Sequence, residues 1–328
     1  MSTIKKPTNS IKFIFNPHAG EKRKTIGAGN SVSLDEIKAL LHQYQLPVDY
    51  APTKGPKHAT QLARESTKEG YETVIVAGGD GTVSEAANGL VGSNTNLGII
   101  PMGTFMNIAR MLSIPLDIEK AVEIIKIKRV RKIDIGKVTK MEGEKSTEPY
   151  YFIESSGIGL DAHIQDYFKQ IEQGRLHNIF PLINKFFHFS SGITEIITDT
   201  KTISCKASII NIANGPYAGA NLKMAPSAKL NDHRLTVSIY PMTQWELIKY
   251  FTKMKLTQKS DGRKLHIIKT KNVKLRTSTP DMYVHVDASL FGSPPVHYQI
   301  IPNALNVICG FPGGVEPNSL HSRTTLDP

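Results

Sequence analysis

The chain is poor in cysteine, in long apolar runs and in acidic charge, and each shortage closes off a class of protein. Cys205 and Cys309 are its two cysteines. They lie far apart and without metal-ligand spacing, which excludes a disulfide framework or a zinc finger and suits a reducing compartment. No stretch reaches the roughly 20 apolar residues that a membrane-crossing helix needs, and the opening MSTIKKPTNS lacks the apolar core of a secretory signal. The protein is therefore expected to be soluble or peripheral to a membrane. Against 40 Lys and Arg stand 29 Asp and Glu, a net charge of +11. That excess attracts polyanions such as nucleotides, anionic lipid or nucleic acid, without choosing among them.

A chain of 328 residues, 40% of them apolar, has enough core-forming material for one large or two ordinary domains, and its texture favours two. In the first part, apolar strands alternate with amphipathic helices. Ile11–Phe15 ends at Asn16-Pro17-His18-Ala19-Gly20. A helix follows, capped by Ser33 with Glu36 three residues on and carrying Leu34, Ile37, Leu40, Leu41 and Tyr44 on one face. A strand near 48–51, a helix near 57–68, strands at 73–77 and 97–100 and a helix at 117–127 continue the pattern. This order predicts a parallel sheet with helices on both faces and ligands at the carboxyl ends of its strands. From 150 onward strands dominate, with helices near 162–190 and 243–257, which predicts an antiparallel β domain. The expected organisation is an α/β domain over 1–137, a β-rich domain over 138–310 and a loosely ordered tail over 311–328.

The most informative segment is Ala77-Gly78-Gly79-Asp80-Gly81-Thr82, where an apolar strand runs through three glycines into a helix start. Glycines let an anionic ligand approach the backbone, and the free N–H groups and dipole of a helix N-terminus favour negative charge. Asp80 is out of place beside phosphate unless it binds a metal, accepts a proton or meets a basic partner; simple capping of the helix is its bland alternative.

Asn16–Gly20, Gly78–Thr82 with Glu85 and Asn88-Gly89-Leu90, and Pro101-Met102-Gly103-Thr104 with Ala109-Arg110 together resemble the catalytic domain of the diacylglycerol kinase family. Further along, Ser156–Ala162, Ala225–Asp232, Val286–Ser289 and Ile301–Leu305 resemble that family's second-domain segments. The resemblance implies an N-terminal α/β domain of the phosphofructokinase and NAD kinase kind, joined to a C-terminal antiparallel β-sandwich. It implies an ATP- and Mg²⁺-dependent lipid kinase that phosphorylates a hydroxyl such as that of diacylglycerol, with ATP and lipid meeting in the interdomain cleft. By the same resemblance, Asn16, Pro17, His18, Ala19, Gly20, Thr53, Gly78, Gly79, Gly81, Thr82, Glu85 and Thr104 contact the nucleotide. Asp80 and Asp134 belong to the catalytic metal network. Asp232, with the backbone carbonyls near Lys229 and Arg234, resembles a second metal site that orders the lipid-side domain rather than doing chemistry. The lipid acceptor places the protein in the cytoplasm, at the inner face of an anionic membrane, and a homodimer is compatible with the family. Nucleic acid is not expected as a partner, because no recognition motif accompanies the charge.

Three departures fall at sensitive places. The family's G-T-x-N-D becomes Gly103-Thr104-Phe105-Met106-Asn107, which removes a carboxylate. Its D-G-E becomes Asp287-Ala288-Ser289, which removes the expected proton acceptor and leaves Asp287 as the nearest candidate, since serine needs a base of its own. A lysine expected after Gln173 is missing, with Arg175 or His177 as stand-ins. His233 also replaces a glycine beside Asp232. These changes leave open a second reading, a catalytically weak or inactive nucleotide- or lipid-binding protein of the same fold. Finally, Leu176, Ile179, Phe180, Ile183, Phe186 and Phe187 recur at helical spacing, which fits either an interfacial helix or one packed on the core. Basic residues gather at 126–140 and at Lys249, Lys253, Lys255, Lys259, Arg263 and Lys264.

Overall fold

The computed structural model describes residues 9–17, 32–141, 148–172, 175–219, 221–257, 265–279, 282–287 and 289–311. The described residues form two compact units, one drawn from Met1–Ile133 with Ala304–Pro328 and the other from Asp134–Asn303. The division thus falls a few residues before the expected 137/138, and the stretch after 303 rejoins the first unit rather than ending the second.

In the first unit, β1 (Ile11–Phe15), α1 (Leu34–Gln43), β2 (Val48–Pro52), α2 (His58–Glu69), β3 (Thr73–Gly78), α3 (Asp80–Leu90), β4 (Asn96–Pro101), α4 (Asn107–Met111) and α5 (Ile118–Ile127) follow in order. The strands are parallel in the spatial order β2-β1-β3-β4. Every residue of β3 and β4 is buried, as expected for strands covered on both faces. On one face α1 and α5 bring Ile37, Leu41, Ile118, Val122 and Ile125 onto Phe13, Phe15 and Ile75. The start of α1 is the capping box read from Ser33 and Glu36. On the other face α2 and α3 pack closely, and a Cβ on Gly89 would lie 2.4 Å from the Thr60 carbonyl oxygen.

Strand β5 (Val130–Lys140) leads into the second unit. There follow β6 (Tyr150–Phe152), β7 (Ser155–Gly159), α6 (Leu160–Glu172), a 3-10 turn (Leu176–Asn178), α7 (Ile179–His188), β8 (Ile193–Thr198), β9 (Thr202–Lys206), β10 (Ile209–Ala213), β11 (Leu235–Tyr240), α8 (Gln244–Thr257), β12 (His266–Thr270), β13 (Asn272–Thr277), β14 (Val284–Val286), β15 (Ser289–Gly292) and β16 (Val296–Ile308). One antiparallel sheet runs β12-β11-β10-β7-β14-β15, and β16, β13, β8 and β9 pair antiparallel in another. Ile158, Ile210, Ile212, Val237 and Val284 share one core with Ile196, Val273, Leu275, Val296 and Tyr298, so two sheets bury their facing sides together. The end of β16 pairs in parallel with the start of β4, Asn306 opposite Asn96, and so completes the first unit's sheet. Strand β7 was hidden in sequence because Ser155-Ser156-Gly157-Ile158-Gly159 carries two glycines and little β propensity.

Candidate active site

In the first unit the carboxyl ends of four strands lie in register. Phe15 pairs with Pro52 and Ala77, Ala77 with Ile100, and Gly78 with Pro101. The register continues one residue past each strand: Asn16 N–H donates to Ala77 (3.2 Å), Thr53 N–H to Phe15 (2.8 Å) and Met102 N–H to Gly78 (3.0 Å). Asn16, Thr53, Gly78, Gly79 and Gly103 are thereby gathered along one edge. Pro17 follows on the exposed side, while His18, Ala19 and Gly20 lie outside the described residues.

The two glycine turns press against each other. A Cβ on Gly103 would meet the Gly79 Cα and the Met106 Sδ, each at 2.7 Å, and a Cβ on Gly78 would strike the Thr82 side chain folded over it. Gly79 is the N-cap of α3, and no side chain caps that helix, so its first-turn N–H groups remain for an anion. Thr104 is partly exposed just beyond. Glu85 sits one turn into α3, where its backbone carbonyl accepts from the Thr60 hydroxyl at 2.7 Å.

Asp80 does not cap its own helix. Its carboxylate accepts the N–H groups of Asn107 (3.1 Å, Oδ2) and Ile108 (3.0 Å, Oδ1), and so caps α4 instead. Burial pushes the Asp80 carboxyl above its ordinary value, and the N–H groups of Ile108, Asn107 and Met106 with the Arg110 charge pull the other way. Met106 replaces the family's amide in the left-handed region, at φ 50°, and its buried sulfur accepts from Gly103 N–H at 3.1 Å. Asn107 is buried at the start of α4, with its backbone N–H on the Asp80 carboxylate.

In the second unit, Asp134 is fully buried and saturated. It accepts from the backbone N–H of His233 (2.7 Å) and of Asn303 (2.9 Å), and the His233 Nδ1 lies 2.9 Å from it. His233 holds φ 58°, the conformation that explains why a glycine is favoured there, and its ring adds a contact glycine lacks. Asp232 is ion-paired with Lys269 and accepts the Arg234 N–H at 3.2 Å. An ammonium thus holds the place expected for a metal, while Lys229 and Arg234 are exposed. Among the described residues no three His, Cys, Asp or Glu side chains cluster as a metal cage. Mg²⁺ commonly takes one or two carboxylates and fills its other positions with water and substrate phosphates. All three carboxylates have both oxygens engaged; Asp80 is singled out by standing in the glycine turn at the uncapped start of α3, while Asp134 is closed in by three donors and Asp232 already carries a cation.

Asp287, the expected proton acceptor, is tied down as well. Its oxygens accept three consecutive N–H groups, from Ile153 (3.2 Å), Glu154 (3.1 Å) and Ser155 (3.2 Å). Ser289 stands at the head of β15, and Ala288 lies outside the described residues. Sequence reasoning missed a nearby pair: His285 Nε2 is 2.9 Å from Asp161 Oδ2, and its Nδ1 is 3.3 Å from the Asp287 carbonyl. Burial, the largest influence, opposes the imidazolium, yet the charge and hydrogen bond of Asp161 and the contributions of Asp287 raise the His285 pKa above its ordinary value. Gly157 makes room for this pair, since a Cβ there would overlap both side chains. Gly157 is the register partner of His285 and of Asn211, which pairs in turn with Ser238. Asn211 and Ser238 are buried, and among the described residues their side-chain polar atoms have no hydrogen-bond partner. Such orphaned groups mark a place where a polar molecule would gain partners. Another overlooked carboxylate is Glu154, buried at the corner that Asp287 holds. No local pattern announces these residues, because 124 positions separate Asp161 from His285.

Comparison with known proteins agrees with this geometry. Residues 10–138 match the diacylglycerol kinase catalytic domain, and residues 155–309 match the YegS C-terminal NAD kinase beta sandwich-like domain. A diacylglycerol kinase of Staphylococcus saprophyticus is 25% identical over 305 residues, covering 88% of this chain and 91% of that protein. Among solved structures, a diacylglycerol kinase from Bacillus anthracis superposes with a TM-score of 0.69 at 23% identity, over 92% of this chain and 96% of the other. Yeast NADH kinase shares the fold at a TM-score of 0.53 and 9% identity, over 98% of this chain and 90% of its own.

Proposed function

The chain joins a diacylglycerol kinase catalytic domain to a YegS-type second domain and belongs to the diacylglycerol kinase family, and from that premise we propose that it is a lipid kinase. It transfers the γ-phosphate of ATP, with Mg²⁺, to a lipid hydroxyl such as that of diacylglycerol, at the inner surface of an anionic membrane. The observation that carries this reading is the uncapped start of α3 behind Gly78 and Gly79, with Asp80 beside it.

Phosphoryl transfer asks a protein mainly to position its substrates and neutralise charge. The backbone N–H groups of Gly79, Gly81 and Thr82 hold the phosphates, and the bare glycines at 79 and 103 keep side chains out of their way. Asn16 and Thr53, at neighbouring strand ends, hold the rest of the nucleotide. Mg²⁺ supplies charge neutralisation at the transferring group, and Asp80 is the residue that would hold it. In the second unit, the strip of Asn211, Ser238 and the Asp161–His285 pair suits a hydroxyl-bearing headgroup. Asp287, the base the D-G-E motif would leave, is engaged by three N–H groups and is poorly placed to take the acceptor proton. Because general-base assistance contributes about 10²–10⁴ in rate, slow turnover is the expected consequence.

That same engagement of Asp287, with the sulfur of Met106 on Gly103 N–H, favours a second reading: a nucleotide- and lipid-binding protein with negligible transfer. The test is to incubate the purified chain with γ-labelled ATP, Mg²⁺ and mixed lipid micelles, beside Asp80→Asn. Label in lipid that Asp80→Asn loses supports the kinase. ATP binding without transfer to any lipid overturns it and leaves the second reading.

A further inference from the structure

Helix α8 is apolar on two opposite sides. Leu247, Tyr250 and Met254 face the core, whereas Trp245, Ile248, Thr252 and Leu256 recur at i, i+3, i+7 and i+11 on the solvent side. Trp245 is 64% exposed and Leu256 80%. By helical geometry Lys249 and Lys253 border one flank of this stripe and Lys255 the other.

Helix α7 continues the surface. None of its residues is buried; Leu182 and Phe186 rest against the core, leaving Ile179, Phe180, Ile183 and Phe187 outward. The two helices are joined by the Phe187 and Trp245 rings, 4.9 Å between centroids, and by a 2.6 Å hydrogen bond from Gln244 to the Phe189 carbonyl. Seven of the thirteen exposed large apolar residues of the described chain fall on these two helices. Scattered exposure is ordinary, but a contiguous patch marks an interaction site.

Charge selects the occupant. Helix α7 carries no acid, and the single acid of α8, Glu246, turns its carboxylate to the Thr243 N–H (2.9 Å) and hydroxyl (3.1 Å) at the helix start. An apolar stripe bordered by lysines suits a layer that is anionic outside and hydrocarbon inside, because lysine stems reach the headgroup level while the aromatic rings enter the boundary below. A second copy meeting the same face would set lysine against lysine.

We propose that the outward faces of α7 and α8 form a docking surface for an anionic lipid bilayer. Phe180, Ile183, Phe187, Trp245, Ile248 and Leu256 enter the headgroup boundary, and Lys249, Lys253 and Lys255 meet the phosphates. The surface takes its purpose from the lipid-kinase reading, since it holds the enzyme where its acceptor lies, but its binding needs no ATP.

Trp245 is the only tryptophan and reports on the surface directly. Vesicles of phosphatidylglycerol with phosphatidylcholine shift the full chain's emission to shorter wavelength, and brominated acyl chains quench it; phosphatidylcholine alone does neither, and added salt weakens the response. The double variant Phe180→Ser, Leu256→Ser binds about tenfold more weakly or worse, from the apolar transfer energy removed, with an unchanged unfolding midpoint. An unchanged Trp245 emission with both vesicles overturns the proposal. So does a lipid-free dimer that shields Trp245 and that the double variant abolishes. If the wild type phosphorylates micellar diacylglycerol without a Trp245 response, the surface fails and the kinase stands. If Trp245 responds and no lipid is phosphorylated, the kinase fails and the surface stands.

Discussion

Replacing Asp287 separates a structural carboxylate from a catalytic one. The three donors it satisfies, the N–H groups of Ile153, Glu154 and Ser155, belong to buried residues, and the Asp287 N–H returns a bond to the Ser155 carbonyl at 2.8 Å. In Asp287→Asn one oxygen remains, and the NH₂ faces at least one backbone donor, so a buried N–H loses its partner at about 1–3 kcal/mol. Asparagine tolerates the left-handed backbone, φ 46° here, so no strain is added. Asp287→Ala orphans all three N–H groups and adds roughly 1–2 kcal/mol of left-handed strain, so at about 1–3 kcal/mol per buried N–H it costs at least about 4 kcal/mol. Asp287→Gly removes the bonds without the strain and falls between. Urea unfolding followed by Trp245 fluorescence, with the slope checked for constancy, measures the series directly. The expected order of stability is wild type, Asn, Gly, Ala. If Asp287→Asn keeps wild-type stability while phosphoryl transfer falls about a hundredfold or more, the carboxylate is a working base and the structural argument is refuted.

Two further outcomes follow from the sites. Gly103→Ala puts a methyl 2.7 Å from both the Gly79 Cα and the Met106 sulfur; calorimetric titration should show ATP affinity lost, with overpacking costing about 1–3 kcal/mol of stability. Gly55→Ala, with nothing within 4 Å of its Cβ, should leave both unchanged. The Asp161–His285 pair gives a pH signature. Because the folded His285 pKa is raised above its ordinary value of 6.5, the pair's stabilisation is fully present below that pH and fades as the pH rises through the folded value. The difference in thermal midpoint between wild type and His285→Gln should therefore be largest in mild acid and shrink in alkali. A difference that grows with pH would contradict the pairing.

The first unit was legible because its signals are local. Ser33 and Glu36 cap a helix three residues apart, Gly70 closes one at φ 86°, and the apolar stretches within 73–77 and 97–100 announce strands covered on both faces. The glycine turn at 78–82 was equally plain, since only glycine allows such close approach. Strand β7, with its two glycines, was less so, being held by its neighbours across the sheet more than by its own composition; β8, β9 and β12 carry the Ile and Thr of strands but are short and lie between stronger signals. The two-sided apolar pattern of α8 was also obscured, because periodicity finds one buried face and treats further apolar residues as noise.

The sequence by itself determined the order of elements in the first unit, the glycine turn at 78–82 and the likeness to the diacylglycerol kinase family. What it left undecided was the partner of each carboxylate. Asp80 caps a helix 27 residues away, Asp232 meets Lys269, Asp134 holds His233 and Asn303, and Asp287 binds the corner at 153–155. A carboxylate takes whatever donors the folded chain brings within 3 Å or so. That choice depends on how distant segments approach each other, so only the tertiary structure could show which donors each of these acids meets.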